Sequence, residues 1–239
     1  MPEIHNLFYI PSAKTVSNRI FIEERECHHL KNVLRIKRGE IIFLTDGKGN
    51  QFKAEVIDIK RNGVEIKVLE KEFIPQRDDF ILELGFVPLK GRRNDFIIEK
   101  GTELGIRRFL IFGTKAAVVK EIGQTKFEHL RNIAVAAMLQ SLQYYLPEIM
   151  LLKDDSALLS NFAGYNSVFV ADPDGVRDFL VNGKRILYIV GPEGGFEKSE
   201  VKKFTEYGAC LISLGKNRLR SETAAIVGIT KILSLLGKI

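Results

Sequence analysis

From about residue 80 to its end, the chain alternates strand-length apolar runs with stretches of helical period, and this alternation constrains the fold more than any other feature. DFILELGFVP, RRFLIFGT, NSVFVADP, RILYIVGP and ACLISLG have the length and content of strands. RRNDFIIEKGTELG, TKFEHLRNIAVAAMLQSLQYY, VRDFLVNG, EKSEVKKFTEYG and SETAAIVGITKILSLL are expected to be helices. Such a pattern predicts a mostly parallel sheet covered by helices. In the first helix the apolar face is expected to run through Phe96, Ile97 and Lys100–Leu104. The last is apolar almost all round and is therefore expected to be buried.

The N-terminal part reads differently. FYI, RIFI, IIFLTDGKGNQF and AEVIDIKRNGVEIKVLE are short apolar segments in which DGKGN and RNG are hairpin-type turns. They predict a small β-barrel or sandwich. Glu23–Ile36 is the exception, since Leu30, Val33 and Leu34 have helical spacing. A polar stretch with one proline, FIPQRDD (Phe73–Asp79), reads as the linker. The expected organisation is a β domain over residues 1–72 and an α/β domain over 73–239.

Charge is informative locally. The net +6 alone is explained by a lysine-rich solvated surface. However, HHLKNVLRIKRG (His28–Gly39), LKGRR (Leu89–Arg93) and KNRLR (Lys216–Arg220) are basic clusters without an acid, which makes nucleic acid a candidate partner. The candidate contacts are His29, Arg35, Lys37, Arg38, Lys90, Arg92 and Arg93. No apolar run approaches the ~20 residues of a membrane span. The N-terminus lacks the basic-then-apolar order of a signal peptide. The only cysteines, Cys27 and Cys210, imply no disulfide framework, so a cytoplasmic location is expected. No metal site is expected either: His28 and His29 are adjacent, their side chains diverge, and only Cys27 lies beside them.

Three expected strand ends carry the chemistry: VFVADPDG, YIVGPEGGF and ISLGKNRLRSET. In open α/β sheets, ligands bind beyond the carboxyl ends of strands. Gly191, Gly194 and Gly195 are expected to allow positive φ and close approach of backbone to a ligand. GPEGGF is neither a P-loop nor GxGxxG, and Glu193 opposes an anion, so a neutral or cationic ligand fits better than a nucleoside triphosphate. A tight turn without ligand explains this loop equally well. In Ser213–Ala224, Ser221 or Thr223 is expected to cap the last helix, with Glu222 complementing its dipole. Capping leaves the basic LGKNRLR unexplained. Asp172 and Asp174 in DPDG are read as a turn bordering the same site.

GPEGGF followed by LGKNRLRSETA resembles the SPOUT class of methyltransferases, and most closely the RsmE family, which methylates N3 of a uridine in 16S ribosomal RNA. HHLKNVLRIKRGE resembles the family's N-terminal block. LKGRRNDFIIEKGTELGI resembles another, through Lys90, Gly91, Lys100, Glu103, Leu104 and Gly105. The resemblance implies an α/β fold: an N-terminal PUA-like β-barrel followed by a SPOUT α/β domain with a C-terminal trefoil knot. Periodicity could not suggest a knot, since knots are nearly absent from proteins. The resemblance also implies a homodimer acting on 16S rRNA or the small ribosomal subunit, with S-adenosylmethionine (SAM) as cofactor. The implied cofactor residues are Ala171, Asp172, Val190, Gly191, Glu193, Gly194, Gly195, Leu214, Gly215, Leu219 and Thr223.

Arg220 is the candidate catalytic residue, a guanidinium to stabilise charge moving onto the uracil carbonyls; Arg92 and Arg93 come second. Pairing of Arg220 with Glu222 or Glu193 is the alternative role. The sequence departs from the family pattern at Lys115–Ala117, Leu139, Gln143 and Leu7. These departures leave open a different RNA site, or a SAM-retaining RNA-binding protein without turnover.

Overall fold

The computed structural model describes residues 7–10, 18–23, 36–76, 79–114 and 122–239. Cys27, His28, His29 and Arg35, residues 24–35 of the helix expected over Glu23–Ile36, and Lys115, Ala116 and Ala117 lie outside the described residues; Glu23 itself is in a strand. The chain divides into two units, Met1–Gln76 with Val135–Leu146, and Arg77–Ala134 with Pro147–Ile239.

In the first unit, β1 (Leu7–Tyr9), β2 (Arg19–Glu23), β3 (Ile41–Thr45), β4 (Asn50–Lys60) and β5 (Gly63–Phe73) form one sheet in the order β1-β3-β4-β5-β2. β1 runs parallel to β3, and the other pairs are antiparallel. Strand alternation builds the core: Phe52, Ala54 and Val56 point inward from β4 and meet Ile42, Leu44, Val64 and Ile66. DGKGN and RNG make the two expected hairpin connections, β3 to β4 and β4 to β5. In the first, buried Asp46 accepts from the backbone of Lys48 and the side chain of Asn50 at 2.9 and 2.7 Å. Residues 135–146 pack with this unit through Gly49 N–H to Tyr144 O (2.9 Å), Leu146 N–H to Gly47 O (2.9 Å) and Tyr145 O–H to Ile74 O (2.8 Å).

The second unit begins with β6 (Ile81–Phe86), α1 (Arg93–Glu103), β7 (Arg108–Phe112) and the start of α2 (Gln124–Gln140). It continues with β8 (Glu148–Leu152), α3 (Asp155–Leu159), β9 (Ser167–Val176), β10 (Arg185–Val190), α4 (Lys198–Glu206), β11 (Cys210–Ile212) and α5 (Ser221–Leu235). The six strands are ordered β11-β9-β10-β6-β7-β8, and every pair is parallel. Central strands β6 and β10 are buried along almost their whole length, as a parallel sheet covered on both faces requires. No helix among the described residues is long and apolar enough to cross a membrane.

Four local expectations are corrected. VRDFLVNG is not helical: β9 continues to Val176, where its carbonyl accepts from Ser213 N–H (2.8 Å), and Phe179 packs 4.8 Å from Phe169. Tertiary pairing overrides local period there. Neither Ser221 nor Thr223 caps α5; Arg220 is its N-cap residue and offers no side-chain cap. On α1, Ile97, Ile98, Gly101 and Thr102 are buried, whereas Phe96 is exposed. α5 is buried on one face only, with Val227 and Leu235 exposed.

Candidate functional site

Because all strands of the second unit are parallel, the segments following β6, β10 and β11 emerge at one end of the sheet. LKGRR follows β6, GPEGGF follows β10, and SLGKNRLR follows β11. Thus three blocks far apart in sequence form one candidate site.

The glycine loop is built by a turn in which Gly195 N–H donates to Pro192 O at 2.9 Å. Of its three glycines only Gly195 has a positive φ, +81°, so the expectation for Gly191 and Gly194 is corrected. Gly191 is buried, and a Cβ there would come 3.1 Å from the Phe196 ring. Phe196 itself packs against Phe112 and Phe204, with ring centroids 6.4 and 5.0 Å apart, which seats the loop on β7 and α4. A Cβ at Gly194, Gly195 or Gly215 would meet nothing within 4 Å, so bare backbone faces open space at both loops.

Charge ties the blocks together. Arg93, in the first turn of α1, donates from Nη1 to Glu193 Oε1 at 2.9 Å, and its Nε lies 3.6 Å from Glu222 Oε1. Glu193 Oε1 also accepts from Lys90 N–H at 3.3 Å, and the Glu193 carbonyl accepts from Arg218 Nη2 at 3.3 Å. Burial pushes the Glu193 carboxyl up; backbone amides of Glu193 and Lys90 and the Arg93 guanidinium outweigh it, so the net direction is down. Glu193 Oε2, Glu222 Oε2 and Thr114 Oγ1 are buried without a hydrogen-bond partner among the described residues. Such atoms are costly unless something else satisfies them.

The other candidates fall around this centre or away from it. Val190 ends β10 buried, Leu214 and Leu219 are half-buried, and Thr223 is exposed on the first turn of α5. Ala171 and Asp172 lie in an irregularity of β9, where the pairing with β11 jumps from Val170 to Val176. Asp172 Oδ1 accepts there from Asp174 N–H at 2.8 Å. Arg220 is exposed and forms no ion pair among the described residues, so its expected alternative pairing with Glu193 or Glu222 is not seen; Arg93 takes both carboxylates. Lys90 and Arg92 are exposed beside the site, whereas Lys37 and Arg38 are exposed in the first unit. Of the departures, Leu7 is buried in β1, while Leu139 and Gln143 are half-buried in the first unit.

One structural residue escaped the sequence reading. Buried Asn94 exchanges two 2.9 Å hydrogen bonds with the backbone of Leu89 and so fixes the turn carrying Lys90–Arg93. A polar amide one turn before the buried pair Ile97 and Ile98 was the available signal.

Comparison with known proteins fits this geometry. A family model described as an RNA methyltransferase domain matches residues 77–233, and an RNA methyltransferase PUA domain matches 22–69. The ribosomal RNA small subunit methyltransferase E of Bacillus subtilis is 28% identical over 225 residues, covering 88% of each chain. A probable rRNA-methyltransferase from Porphyromonas gingivalis is 28% identical with a TM-score of 0.85, covering 97% of this chain and 98% of that one. The Neisseria gonorrhoeae small subunit methyltransferase E bound to S-adenosylmethionine has a TM-score of 0.86 at 24% identity, covering 96% of this chain and 97% of that one.

Proposed function

The chain belongs to the RNA methyltransferase family, whose model covers residues 77–233, and from that membership we propose that it transfers a methyl group from SAM to N3 of a uridine in 16S rRNA of the small ribosomal subunit. The observation that carries the reading is the meeting of the GPEGG and LGKNRLR loops at the carboxyl end of a parallel sheet, with bare glycine backbone at both. The open glycine positions suit a ligand held by main chain, and the carboxylates of Glu193 and Glu222 beside them suit one that bears a positive charge. Main-chain groups of residues 190–195 and 214–219 would hold it. When bound, SAM supplies an electrophilic methyl group on a cationic sulfur.

What remains for the protein is to place the uracil ring and manage one proton. The hydrogen on N3 leaves to solvent, the anion left behind spreads its negative charge onto the flanking carbonyl oxygens, and that charge is consumed as the N–C bond forms and the methyl–sulfur bond breaks. Arg220, exposed beside the site and without an ion pair among the described residues, is the guanidinium assigned to that charge. Proximity supplies much of the remaining acceleration.

The proposal includes a cytoplasmic setting, a trefoil knot in the second unit and a homodimer. For the knot, the support is that the chain reaches the edge strand β11 and then returns through LGKNRLR to pack α5 on β10 and α1. For the dimer, it is an exposed apolar strip, Val176, Leu180, Val227 and Leu235.

The test is transfer of labelled methyl from SAM to small subunits lacking the uridine modification, with naked rRNA and tRNA alongside and the product base identified by mass. The expected product is 3-methyluridine at one position of 16S rRNA. Transfer to a different base or RNA overturns the substrate assignment, and SAM binding without transfer to any of them overturns the enzymatic one.

A further inference from the structure

We infer that Arg93 is a positioning residue of the cofactor site and not a contact to RNA: from α1 it clamps the carboxylates of Glu193 and Glu222, fixing the glycine loop against the start of α5. The inference rests on the cofactor reading above. In sequence Arg93 looks like part of a basic cluster that meets phosphate. In the fold two of its three guanidinium nitrogens are directed to acceptors, Nη1 to Glu193 Oε1 at 2.9 Å and Nε to Glu222 Oε1 at 3.6 Å. Both carboxylates are largely covered, with side-chain exposures of 29% and 14%. The rigid guanidinium fork reaches acceptors in two directions, which a lysine ammonium cannot reproduce.

The clamp uses one oxygen of each carboxylate. The second oxygens, Glu193 Oε2 and Glu222 Oε2, are buried with no donor among the described residues. Their chemistry calls for hydroxyl or ammonium donors, which a nucleoside linked to an amino acid carries. A phosphate brings acceptors only, and Arg93 already faces two carboxylates. The outward cations Lys90, Arg92, Lys216 and Arg220 are exposed and remain available to RNA, while Arg218 reaches the Glu193 carbonyl.

Arg93→Met and Arg93→Lys, made in the full chain, test this by calorimetric titration with SAM and by binding of small-subunit rRNA across a salt series. The expected result is at least a tenfold weaker SAM Kd for Arg93→Met, partly restored by Lys, which keeps the Glu193 bond. rRNA affinity and its salt slope should not change; loss of a phosphate contact would shallow the log–log slope by about 0.7–0.9. A shallower slope, or a lowered Tm with unchanged SAM Kd, overturns the inference. Should Arg93→Met not fold, Glu222→Gln carries the same expectation, a SAM Kd weakened at least threefold with rRNA binding intact. If the wild-type protein binds no SAM, the cofactor reading itself falls and takes this inference with it; if the wild type binds SAM and the variants match it, only the inference falls.

Discussion

Gly228 is where the packing of the second unit allows least change. A Cβ built there lies 2.2 Å from the ring of Tyr188, closer than real Cβ atoms come to any atom. The ring cannot retreat, because Tyr188 is fully buried and its hydroxyl donates to Ala224 O at 2.8 Å. Gly228→Ala should therefore destabilise by about 2–3 kcal/mol through overpacking, seen as a lower urea midpoint with an unchanged m-value. Tyr188→Phe should cost about 1 kcal/mol for its hydrogen bond. Together the two changes should cost less than their sum, since the missing hydroxyl vacates part of the space. A Gly228→Ala variant as stable as wild type would refute this close approach. Arg93 and Glu193 show the matching limit of sequence reading. Both were visible as unusual residues, but their pairing spans 100 positions and depends on which strands lie side by side.

At the scale of elements, the alternation of strands and helices was legible wherever a segment is buried on a consistent face. β6, β7 and β10 follow directly from their apolar runs. β8 escaped because it is an edge strand, half exposed, whose sequence EIMLL carries little alternation. The false helix over 176–183 shows the opposite error. Its local period is real, yet the pairing of Val176 beside Ile212 and the burial of Phe179 on Phe169 decide the outcome. α4 shows an element set largely by its own residues. Glu200, only 2% exposed, accepts from Glu197 N–H at 2.8 Å and so satisfies a donor at the helix start. Glu200→Ala should cost about 1 kcal/mol and speed hydrogen exchange across α4 selectively, whereas Glu200→Gln, which keeps an acceptor, should cost less. Equal losses in the two variants would mean that the Glu200 carboxylate contributes through something other than this cap.

At the scale of the whole molecule, the question is what covers the apolar strip of the second unit. Leu180 is 80% exposed, Val176 51% and Leu235 50%. Residues 227, 231 and 235 lie on one stripe of α5, and Lys231 Nζ sits over the Phe179 ring at 4.9 Å while donating to the Arg177 carbonyl. The stripe and the segment after β9 therefore form one surface, on which the Lys231 ammonium is already engaged within the chain. Sequence could not show this surface, because an apolar helix reads as core until its neighbours are known. A second copy of the chain covering it would bury each leucine twice across a two-fold axis. With about 1.5–3 kcal/mol per buried leucine, Leu180→Asp should cost the dimer about 3–6 kcal/mol. That is at least about a hundredfold in dissociation constant. Light scattering on a sizing column at micromolar concentration should then report a dimer for wild type and a monomer for Leu180→Asp, with the urea midpoint of the isolated variant independent of concentration. A wild type that is monomeric at that concentration would reject the dimer outright. A Leu180→Asp variant that remains dimeric would move the interface to another surface.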